Sequence, residues 1–183
     1  MSTRLETLDA IEAALWRELQ AAPRDKQHPW RTPVLATTDG EVGDARTVIL
    51  REVDQAQAAL LMYTDSRAGK VLQVAAHPRG TIVMWSPGLG WQLRIRVDLQ
   101  AVTEGLELSS RWARLKLSPA ANDYLSPRTP GDPLDGAIGA RGERAYFALL
   151  EARVLSIDWL ELHAQGHRRA GFSNDATPRW LQP

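Results

Sequence analysis

The stretch PVLATTDGEVGDARTVILREV, residues 33–53, decides the fold class of this 183-residue chain. Both ends of the stretch are rich in β-branched and aliphatic residues, and the Asp39-Gly40 pair between them is a strong tight-turn signal. The pattern predicts a β-hairpin whose second strand runs over residues 45–53. Because side chains alternate along a strand, Arg46 and Arg51 are expected on opposite faces of it.

Extended segments dominate the rest of the chain. Residues 91–103 alternate apolar and polar side chains, which predicts a long strand with one polar face. Further strands are predicted over residues 58–64, 80–85, 146–162 with a break near Asp158, 166–172 and 179–182. Because the strands do not alternate regularly with helices, the sheet is expected to be antiparallel and closed into a barrel, which removes exposed strand edges.

Helical periodicity marks shorter segments around this sheet. The first is an N-terminal helix within residues 1–22 that starts near Thr3, since Thr3 and Glu6 have capping-box spacing. The others cover residues 66–76, residues 106–117 and a short piece after Pro119. Residues 126–142 hold four Gly and three Pro and predict a loop. No repeat or linker interrupts the chain, so residues 1–183 are expected to form a single domain.

The composition excludes several kinds of site. The chain has no Cys, which excludes disulfides, thiolate-bound metals and a thiol nucleophile. Its four His offer no three-ligand set, so no metal site is expected. With 22 basic and 22 acidic residues the net charge is zero, which argues against nucleic-acid binding. No long apolar run or export signal is present, so the expectation is a cytoplasmic protein that does not contact a membrane.

Basic residues are nonetheless placed unevenly. Nineteen of the 22 are Arg, a bias that suits anion binding but also suits the codon usage of a GC-rich genome. In YTDSRAGK, residues 63–70, a predicted strand ends and Ser66 can cap the start of a helix. Arg67 and Lys70 then fall in the first helical turn, where free backbone N–H groups and the helix dipole already favour an anion. The segment therefore predicts a phosphate-binding turn.

Three short motifs together carry a family resemblance. They are RTVILR at residues 46–51, YTDSRAGK at residues 63–70, and Gln92 in WQLRI. Their order and spacing resemble those of the pyridoxamine 5'-phosphate oxidase-like group of FMN-binding split barrels, and HRRAGF at residues 167–172 is similar to the way these oxidases end. The resemblance implies a mainly β (α+β) antiparallel split barrel with peripheral helices. It also implies FMN as cofactor and a homodimer with two FMN molecules in its interface.

The resemblance further implies a role for each matching residue. Arg46 and Lys70 would hold the FMN phosphate with help from Thr64, and Gln92 would hydrogen-bond the flavin ring. The backbone of Thr47, Val48, Ile49 and Leu50 would lie along the flavin. Ser66 and Arg67 are further candidate phosphate ligands because they fall in the same turn, and Tyr63 belongs to the same candidate cofactor site.

The substrate side matches the oxidases less well. Arg51 stands where the oxidases use Lys to bind substrate phosphate, and Arg168 and Arg169 stand near their C-terminal substrate motif. The His of that motif is absent, and Gly171 replaces an Arg that binds FMN. The sequence thus predicts an FMN-dependent oxidase or reductase that acts on an unknown small substrate, with no catalytic residue assigned. The alternative is a protein that binds flavin, haem or deazaflavin as a sensor or carrier without turnover.

Overall fold

The computed structural model describes residues 4–134, 142 and 145–183. Its helices are α1 (Leu8–Ala21), α2 (Gly69–Ala76) and α3 (Leu106–Leu115), with 3₁₀ segments at Pro29–Arg31 and Pro119–Tyr124. Its strands are β1 (Val34–Thr38), β2 (Gly43–Thr47), β3 (Leu50–Asp54), β4 (Ala59–Asp65), β5 (Arg79–Ser86), β6 (Trp91–Val102), β7 (Phe147–Glu161), β8 (Arg168–Ser173) and β9 (Ala176–Leu181). No helix among the described residues is long and apolar enough to cross a membrane.

The strands form one antiparallel sheet whose two ends are joined by two residues. The main path through the sheet runs β2-β1-β5-β6-β7-β4-β3. β2 and β3 are therefore its outermost strands, yet only Val48 and Ile49 separate them in the chain. The sheet has to curl until these edges meet, which closes it into a barrel. The Val48 backbone N–H donates to Pro33 O at 2.9 Å and fixes the crossover.

This crossover corrects the prediction of one strand over residues 45–53. The RTVILR motif ends one strand at Thr47 and begins another at Leu50, so Arg46 and Arg51 lie on different strands at opposite edges of the sheet. The alternation argument for their two faces is therefore wrong. Local pattern cannot show this change, because Val48, Ile49 and Leu50 form one apolar run across it, and the two strands are distinguished by their pairing partners, β1 and β4.

β7 is the strand where the barrel splits. One of its edges pairs with β6 along its length, while the other pairs first with β4 and then with β8. The change of partner falls at Leu155, which is bulged out of the β6 register between Val154 and Ser156. The break expected near Asp158 is absent, since Asp158 pairs regularly with Gly171.

Two helices begin later than predicted. Thr3 lies outside the described residues, and α1 begins at Leu8, where Thr7 Oγ1 accepts a hydrogen bond from the Ala10 backbone N–H at 3.3 Å. α2 begins at Gly69 with Ala68 as its N-cap, so Ser66 does not cap it. The acceptor in that turn is the Asp65 carboxylate, which receives the Arg67 backbone N–H at 2.8 Å.

The core fills the barrel and extends under α1. Its fully buried members come from the inward faces of the strands, one face of α1 and the 3₁₀ segment Pro29–Arg31, and include Ile11, Leu15, Leu19, Trp30, Leu35, Leu50, Ile82, Leu93, Ile95 and Trp159. A second cluster lies beneath α3, where Leu108 and Tyr124 pack against Phe147 and Leu149. This second cluster holds the 3₁₀ segment Pro119–Tyr124 against the end of β4.

Candidate functional site

A cavity of about 190 Å³ lies where the β2–β3 crossover meets the end of β4 and the start of α2. Its fourth wall is the end of the 3₁₀ segment Pro119–Tyr124. The residues that line it are Thr47, Val48, Ile49, Arg51, Met62, Tyr63, Thr64, Lys70, Asp123, Tyr124 and Leu150. The fold thus brings the two halves of the RTVILR motif together, although β2 and β3 lie at opposite edges of the sheet.

Lys70 is the half-buried cation of this cavity. Its Nζ donates to the buried Thr64 Oγ1 at 3.2 Å. Burial, followed by the nearby Arg46 guanidinium, lowers the pKa of Lys70 below its ordinary value of 10.5. Both causes oppose a positive charge at this position, so a bound anion would relieve them.

Arg51 adds a second cation with an unsatisfied donor. Its Nε is buried and has no hydrogen-bond partner among the described residues. Its guanidinium carbon lies 5.5 Å from the centre of the Tyr63 ring. A buried donor without an acceptor costs free energy, which an anionic oxygen in the cavity would recover.

Arg46 stands beside the cavity without lining it. Its Nη1 donates to Thr37 Oγ1 at 2.6 Å, and its Nη2 donates to Gln73 Oε1 at 3.1 Å. Nη2 also pairs with Asp44, an exposed carboxylate two residues earlier on β2. Arg46 therefore already has a counter-charge, but it lies near enough to lower the pKa of Lys70.

Arg67 is held by contacts outside the cavity. It forms an ion pair with the buried Asp65 at 2.7 Å, and its guanidinium carbon lies 3.3 Å from the centre of the Tyr146 ring. It also donates to the backbone carbonyl of Ser126 at 2.9 Å. The Ser66 backbone N–H donates to Tyr146 O at 2.7 Å. The turn after β4 is therefore bonded both to Ser126, just after the 3₁₀ segment, and to Tyr146, just before β7.

Tyr63 lines the cavity but directs its hydroxyl away from it. The hydroxyl donates to Glu52 Oε1 at 2.8 Å, and Glu52 is held in turn by two hydrogen bonds of 2.9 Å from Arg111 on α3. Burial, with Glu52 as the next cause, raises the pKa of Tyr63 from 10.0 to about 12. Tyr63 therefore stays protonated and ties β4 to α3.

Gln92 lies on β6, away from this cavity. It is half-buried, and its strand neighbours are Trp85 on β5 and Leu160 on β7. It points to the outer face of the barrel, since its neighbours along the strand, Trp91 and Leu93, are buried. Among the described residues of one chain, Gln92 does not line the cavity that contains Lys70.

The two C-terminal arginines are engaged in ion pairs. Arg168 pairs with the buried Glu161 at 2.9 Å, and Arg4 shares the same carboxylate at 2.7 Å. Arg169 pairs with Asp158 at 2.6 Å. These arginines lower the pKa of both carboxylates against the effect of burial, so the pairs remain charged at neutral pH.

The cavity also contains residues that sequence reasoning did not select. Asp123 and Tyr124 form its far wall, and Tyr124 is buried beside Arg51. They reach the site only through packing beneath α3, some 60 residues after Tyr63 in the chain. No motif marks that approach. The apolar spacing of residues 106–117 indicates a helix but not the strand that it covers.

Comparison with known proteins agrees with this architecture. Residues 13–103 match the family described as pyridoxamine 5'-phosphate oxidase, FMN-binding domain. The pyridoxine/pyridoxamine 5'-phosphate oxidase of Azorhizobium caulinodans is 30% identical over 87 residues, which cover 47% of this chain and 40% of that protein. The same enzyme from Thermosynechococcus vestitus is 32% identical over 76 residues, which cover 37% of this chain and 35% of that protein. The matches therefore span well under half the length of these curated relatives.

Solved structures show the same fold over the whole chain. PhzG from Burkholderia lata 383, solved with tetrahydrophenazine-1-carboxylic acid, superposes with a TM-score of 0.78 at 15% identity and covers 100% of both chains. A pyridoxamine 5'-phosphate oxidase-related, FMN-binding protein from Nostoc punctiforme PCC 73102 gives 0.76 at 19% identity, covering 97% of this chain and 100% of that one. The fold is thus that of the pyridoxamine 5'-phosphate oxidase-like split barrels. Through residues 13–103 the chain belongs to the pyridoxamine 5'-phosphate oxidase FMN-binding domain family.

Proposed function

We propose that this protein binds FMN, with the FMN phosphate in the cavity at the β2–β3 crossover. The observation that carries the proposal is the pair of cations there. The Lys70 ammonium has a neutral hydroxyl partner, and the Arg51 Nε is buried with no partner among the described residues. A phosphate dianion would supply an anionic acceptor to the Lys70 ammonium and a partner to the Arg51 Nε, through charge-assisted hydrogen bonds. The residues present therefore fit the phosphate end of the cofactor.

The proposed contacts follow from the lining of the cavity. Lys70, Thr64 and Arg51 would contact the phosphate, and Arg46 would add positive charge from beside them. The backbone of Thr47 to Leu50 would lie along the flavin, because the crossover forms the rim of the cavity.

The size of the cavity supports a flavin shared between two copies of the chain. A volume of about 190 Å³ is below the roughly 300–1,000 Å³ of sites that enclose a whole ligand. The ring system would therefore extend over the outer surface, where Ile49 is 38% exposed and Trp85 43% exposed. In such a homodimer, the Gln92 that reaches the ring would belong to the second copy.

The proposed activity is that of an oxidoreductase acting on a small substrate. Bound FMN supplies the transfer of a hydride or of single electrons, so the protein needs to bind and orient rather than provide an acid–base pair. The chain's contribution would be to hold the phosphate at Lys70 and to exclude water at the crossover with Val48 and Met62.

The test is to identify the ligand and then remove its proposed anchor. Mass spectrometry of the material released from the purified, denatured protein is expected to show FMN, and the native protein to show flavin absorbance. Lys70→Met is expected to weaken FMN binding by about ten- to 100-fold, the worth of one hydrogen bond to a charged group. Riboflavin, which lacks the phosphate, is expected to bind both proteins equally.

Lys26→Met is the matched control, since Lys26 is an exposed loop lysine and the change removes the same charge. A protein that neither contains FMN nor binds added FMN would contradict the proposal. So would an unchanged FMN affinity in Lys70→Met.

A second candidate is a flavin-binding protein without turnover. The observation in its favour is that both predicted substrate arginines, Arg168 and Arg169, are already paired with carboxylates. Reduction of bound FMN by nicotinamide cofactors, followed by reoxidation, separates the two functions. The hypothesis that the protein binds haem is tested with the same purified protein, because haem would give a Soret band in place of flavin absorbance. A haem-binding protein from Mycobacterium smegmatis shares the fold at a TM-score of 0.53 and 19% identity.

A further inference from the structure

Four of the seven tryptophans form a continuous series of contacting rings, the tryptophan series: Trp30, Trp91, Trp159 and Trp180. The ring centres of Trp30 and Trp91 lie 6.5 Å apart, and those of Trp91 and Trp159 lie 5.4 Å apart. The ring centre of Trp159 lies 6.4 Å from that of Trp180. Each spacing is within the roughly 4.5–7 Å of contacting aromatic pairs. The rings come from the 3₁₀ segment Pro29–Arg31, β6, β7 and β9, so the tertiary fold brings them together.

The register of the sheet places the last three rings in contact. Trp159 on β7 lies opposite Leu93 on β6, which makes it a diagonal neighbour of Trp91 on the same face. Ala170 on β8 lies opposite Trp159 on one side and opposite Trp180 on the other. Because alanine is small, the two large rings meet over it.

The tryptophan series leads from the core to the surface. Trp30 and Trp159 are fully buried and Trp91 is nearly so, whereas Trp180 is 45% exposed. The indole N–H groups of Trp30 and Trp159 are buried and have no hydrogen-bond partner among the described residues. A buried N–H without an acceptor costs free energy, and phenylalanine would supply an aromatic ring without that cost. Packing alone therefore does not account for tryptophan at these two positions.

One-electron oxidation is a chemistry that distinguishes indole from phenylalanine. Indole is among the most easily oxidised side chains, and this chain has no Cys to compete with it. An indole that has lost one electron readily gives up its N–H proton. At Trp30 and Trp159 the described residues offer no acceptor for that proton, so an oxidised ring keeps it and can recover its electron from the next ring. At the exposed Trp180, water can take the proton, and the oxidation ends there.

Arg168 favours the same end point. Its guanidinium carbon lies 5.8 Å from the centre of the Trp159 ring and 5.7 Å from the centre of the Trp180 ring. A nearby positive charge favours the loss of a proton from a cationic group. Of these two rings, Trp180 is the one that water reaches, so Arg168 favours the deprotonated, neutral radical at Trp180.

We propose that the tryptophan series is a route by which an oxidising equivalent leaves the core of the barrel and ends at the surface. A strong one-electron oxidant, such as photoexcited flavin or a peroxide-derived radical, removes one electron from Trp30 or Trp91. Electrons then move inward from ring to ring, one at each step, until Trp180 lacks one electron and releases its indole proton to water. A dissolved one-electron donor, such as a thiol or ascorbate, then reduces Trp180, and water returns the proton.

The route goes beyond the proposed function. The tryptophan series is separate from the described residues that line the proposed FMN phosphate cavity. Photoexcited flavin as the oxidant does rest on the proposed function, through Trp91, which adjoins Gln92 in the sequence. The test therefore starts the oxidation at an attached label and needs no FMN.

Gln27→Cys places the label in the exposed loop before Trp30. Because the chain has no Cys of its own, this variant carries a single thiol for a ruthenium–bipyridine complex. Illumination with an irreversible electron acceptor converts the label to Ru(III), which takes one electron from the indole nearest to it. Transient absorption is expected to show a deprotonated Trp radical. Peptide mass spectrometry after reaction with oxygen is expected to find the oxidation product at Trp180.

Trp85 is the internal control for oxidant that reaches the surface through solvent. It is 43% exposed, much like Trp180, but it points to the outer face of the barrel, since its neighbours Met84 and Ser86 are buried. It is expected to stay unmodified in the labelled protein.

Trp159→Phe in the labelled protein removes a central ring and is expected to abolish the modification of Trp180. Trp112→Phe is the matched control, since Trp112 packs in the second cluster against Tyr124 and Phe147. It is expected to leave the modification of Trp180 unchanged. If Trp159→Phe does not fold, as judged by circular dichroism, Trp180→Phe replaces it and is expected to abolish the deprotonated radical, because the remaining rings of the series are buried.

Four results would overturn the proposal. The first is that Trp180 stays unmodified in the labelled parent protein. The second is that Trp85 is modified as much as Trp180, which would indicate a diffusing oxidant. The third is that Trp159→Phe leaves the modification of Trp180 unchanged, and the fourth is that Trp180→Phe leaves the deprotonated radical unchanged. Modification of Trp180 through Trp159 in a protein that does not bind FMN would uphold the route and refute only the proposed function.

Discussion

The cavity at the β2–β3 crossover and the hairpin formed by β7 and β8 both carry basic residues, but among the described residues these have carboxylate partners only at the hairpin. At the hairpin, Arg168 and Arg4 share the buried Glu161, and Arg169 and Arg94 share Asp158. At the cavity, Lys70 has a threonine hydroxyl as its partner. Two arginines around one carboxylate stabilise the fold, whereas a half-buried lysine beside a neutral hydroxyl is suited to take up an anion.

The register of β7 against β8 and against β4 explains why the hairpin has carboxylate partners and the cavity does not. Glu161 on β7 lies directly opposite Arg168 on β8, where side chains on one face of an antiparallel pair meet. At the cavity end of the same strand, the residue opposite Thr64 is Ala148, and the residue opposite Met62 is Leu150. β7 therefore presents acids to the hairpin and only small or apolar residues to the cavity.

The largest expected effect comes from removing the hairpin carboxylate. Among the described residues, Glu161→Gln would leave Arg4 without a counter-charge and Arg168 with only the exposed Glu6 carboxylate at 3.7 Å. We expect a loss of about 2–3 kcal/mol of unfolding free energy at neutral pH, measured by urea denaturation. Because the folded-state pKa of Glu161 is lowered, its contribution is present above the ordinary value of 4.5 and disappears as the pH falls through the folded-state pKa. The parent protein and the variant should therefore converge in acid.

Lys70→Met tests whether the charge in the cavity contributes to stability as the charge at the hairpin does. Removing a half-buried cation without a carboxylate partner is expected to change the unfolding free energy of the FMN-free protein by less than about 0.5 kcal/mol, or to raise it. If Lys70→Met destabilises the protein as much as Glu161→Gln does, both regions use charge for stability and the contrast fails.

An effect smaller than that of Glu161→Gln but larger than that of Lys70→Met is expected at Arg67, which belongs to the phosphate motif but is held by an ion pair with a carboxylate. Its partners are Asp65, Tyr146 and the Ser126 carbonyl. Arg67→Met is expected to cost about 1–2 kcal/mol of unfolding free energy, because the buried Asp65 loses its cation. Since these contacts also hold the chain next to Tyr124, FMN and riboflavin should lose affinity by the same factor, as measured by fluorescence titration.

The ratio of the two affinities decides the role of Arg67. A loss confined to FMN would show that Arg67 contacts the phosphate, as its place in the phosphate-binding turn predicts. Arg67→Lys provides the conservative control, because it keeps the charge beside Asp65 but cannot bond the Ser126 carbonyl at the same time.

Much of this fold could be predicted from the sequence. Strict alternation of apolar and polar side chains marks a strand whichever strands it pairs with. Residues 91–103 were expected to form a strand, and β6 covers Trp91–Val102. The β2–β3 crossover could not be predicted, since Val48, Ile49 and Leu50 form one apolar run across it and the change at Val48 depends on pairing with distant strands. The same limit applies to charge. The sequence shows Arg168 and Arg169 as free cations, and only the register of β7 against β8 brings Glu161 and Asp158 to them.

The smallest and most local effect is the titration of Lys70. Its folded-state pKa lies below 10.5, so the unfolded chain binds more protons between these two values, and stability from this group rises with pH across that window. A bound phosphate favours the charged amine, so FMN is expected to raise the pKa of Lys70 and to remove this pH dependence. Nitrogen-15 NMR of labelled lysine can follow the shift, because the chain has only two other lysines, Lys26 and Lys116, to serve as internal references. A pKa for Lys70 that stays the same or falls when FMN binds would mean that the phosphate lies elsewhere, and the two regions would then no longer differ in function.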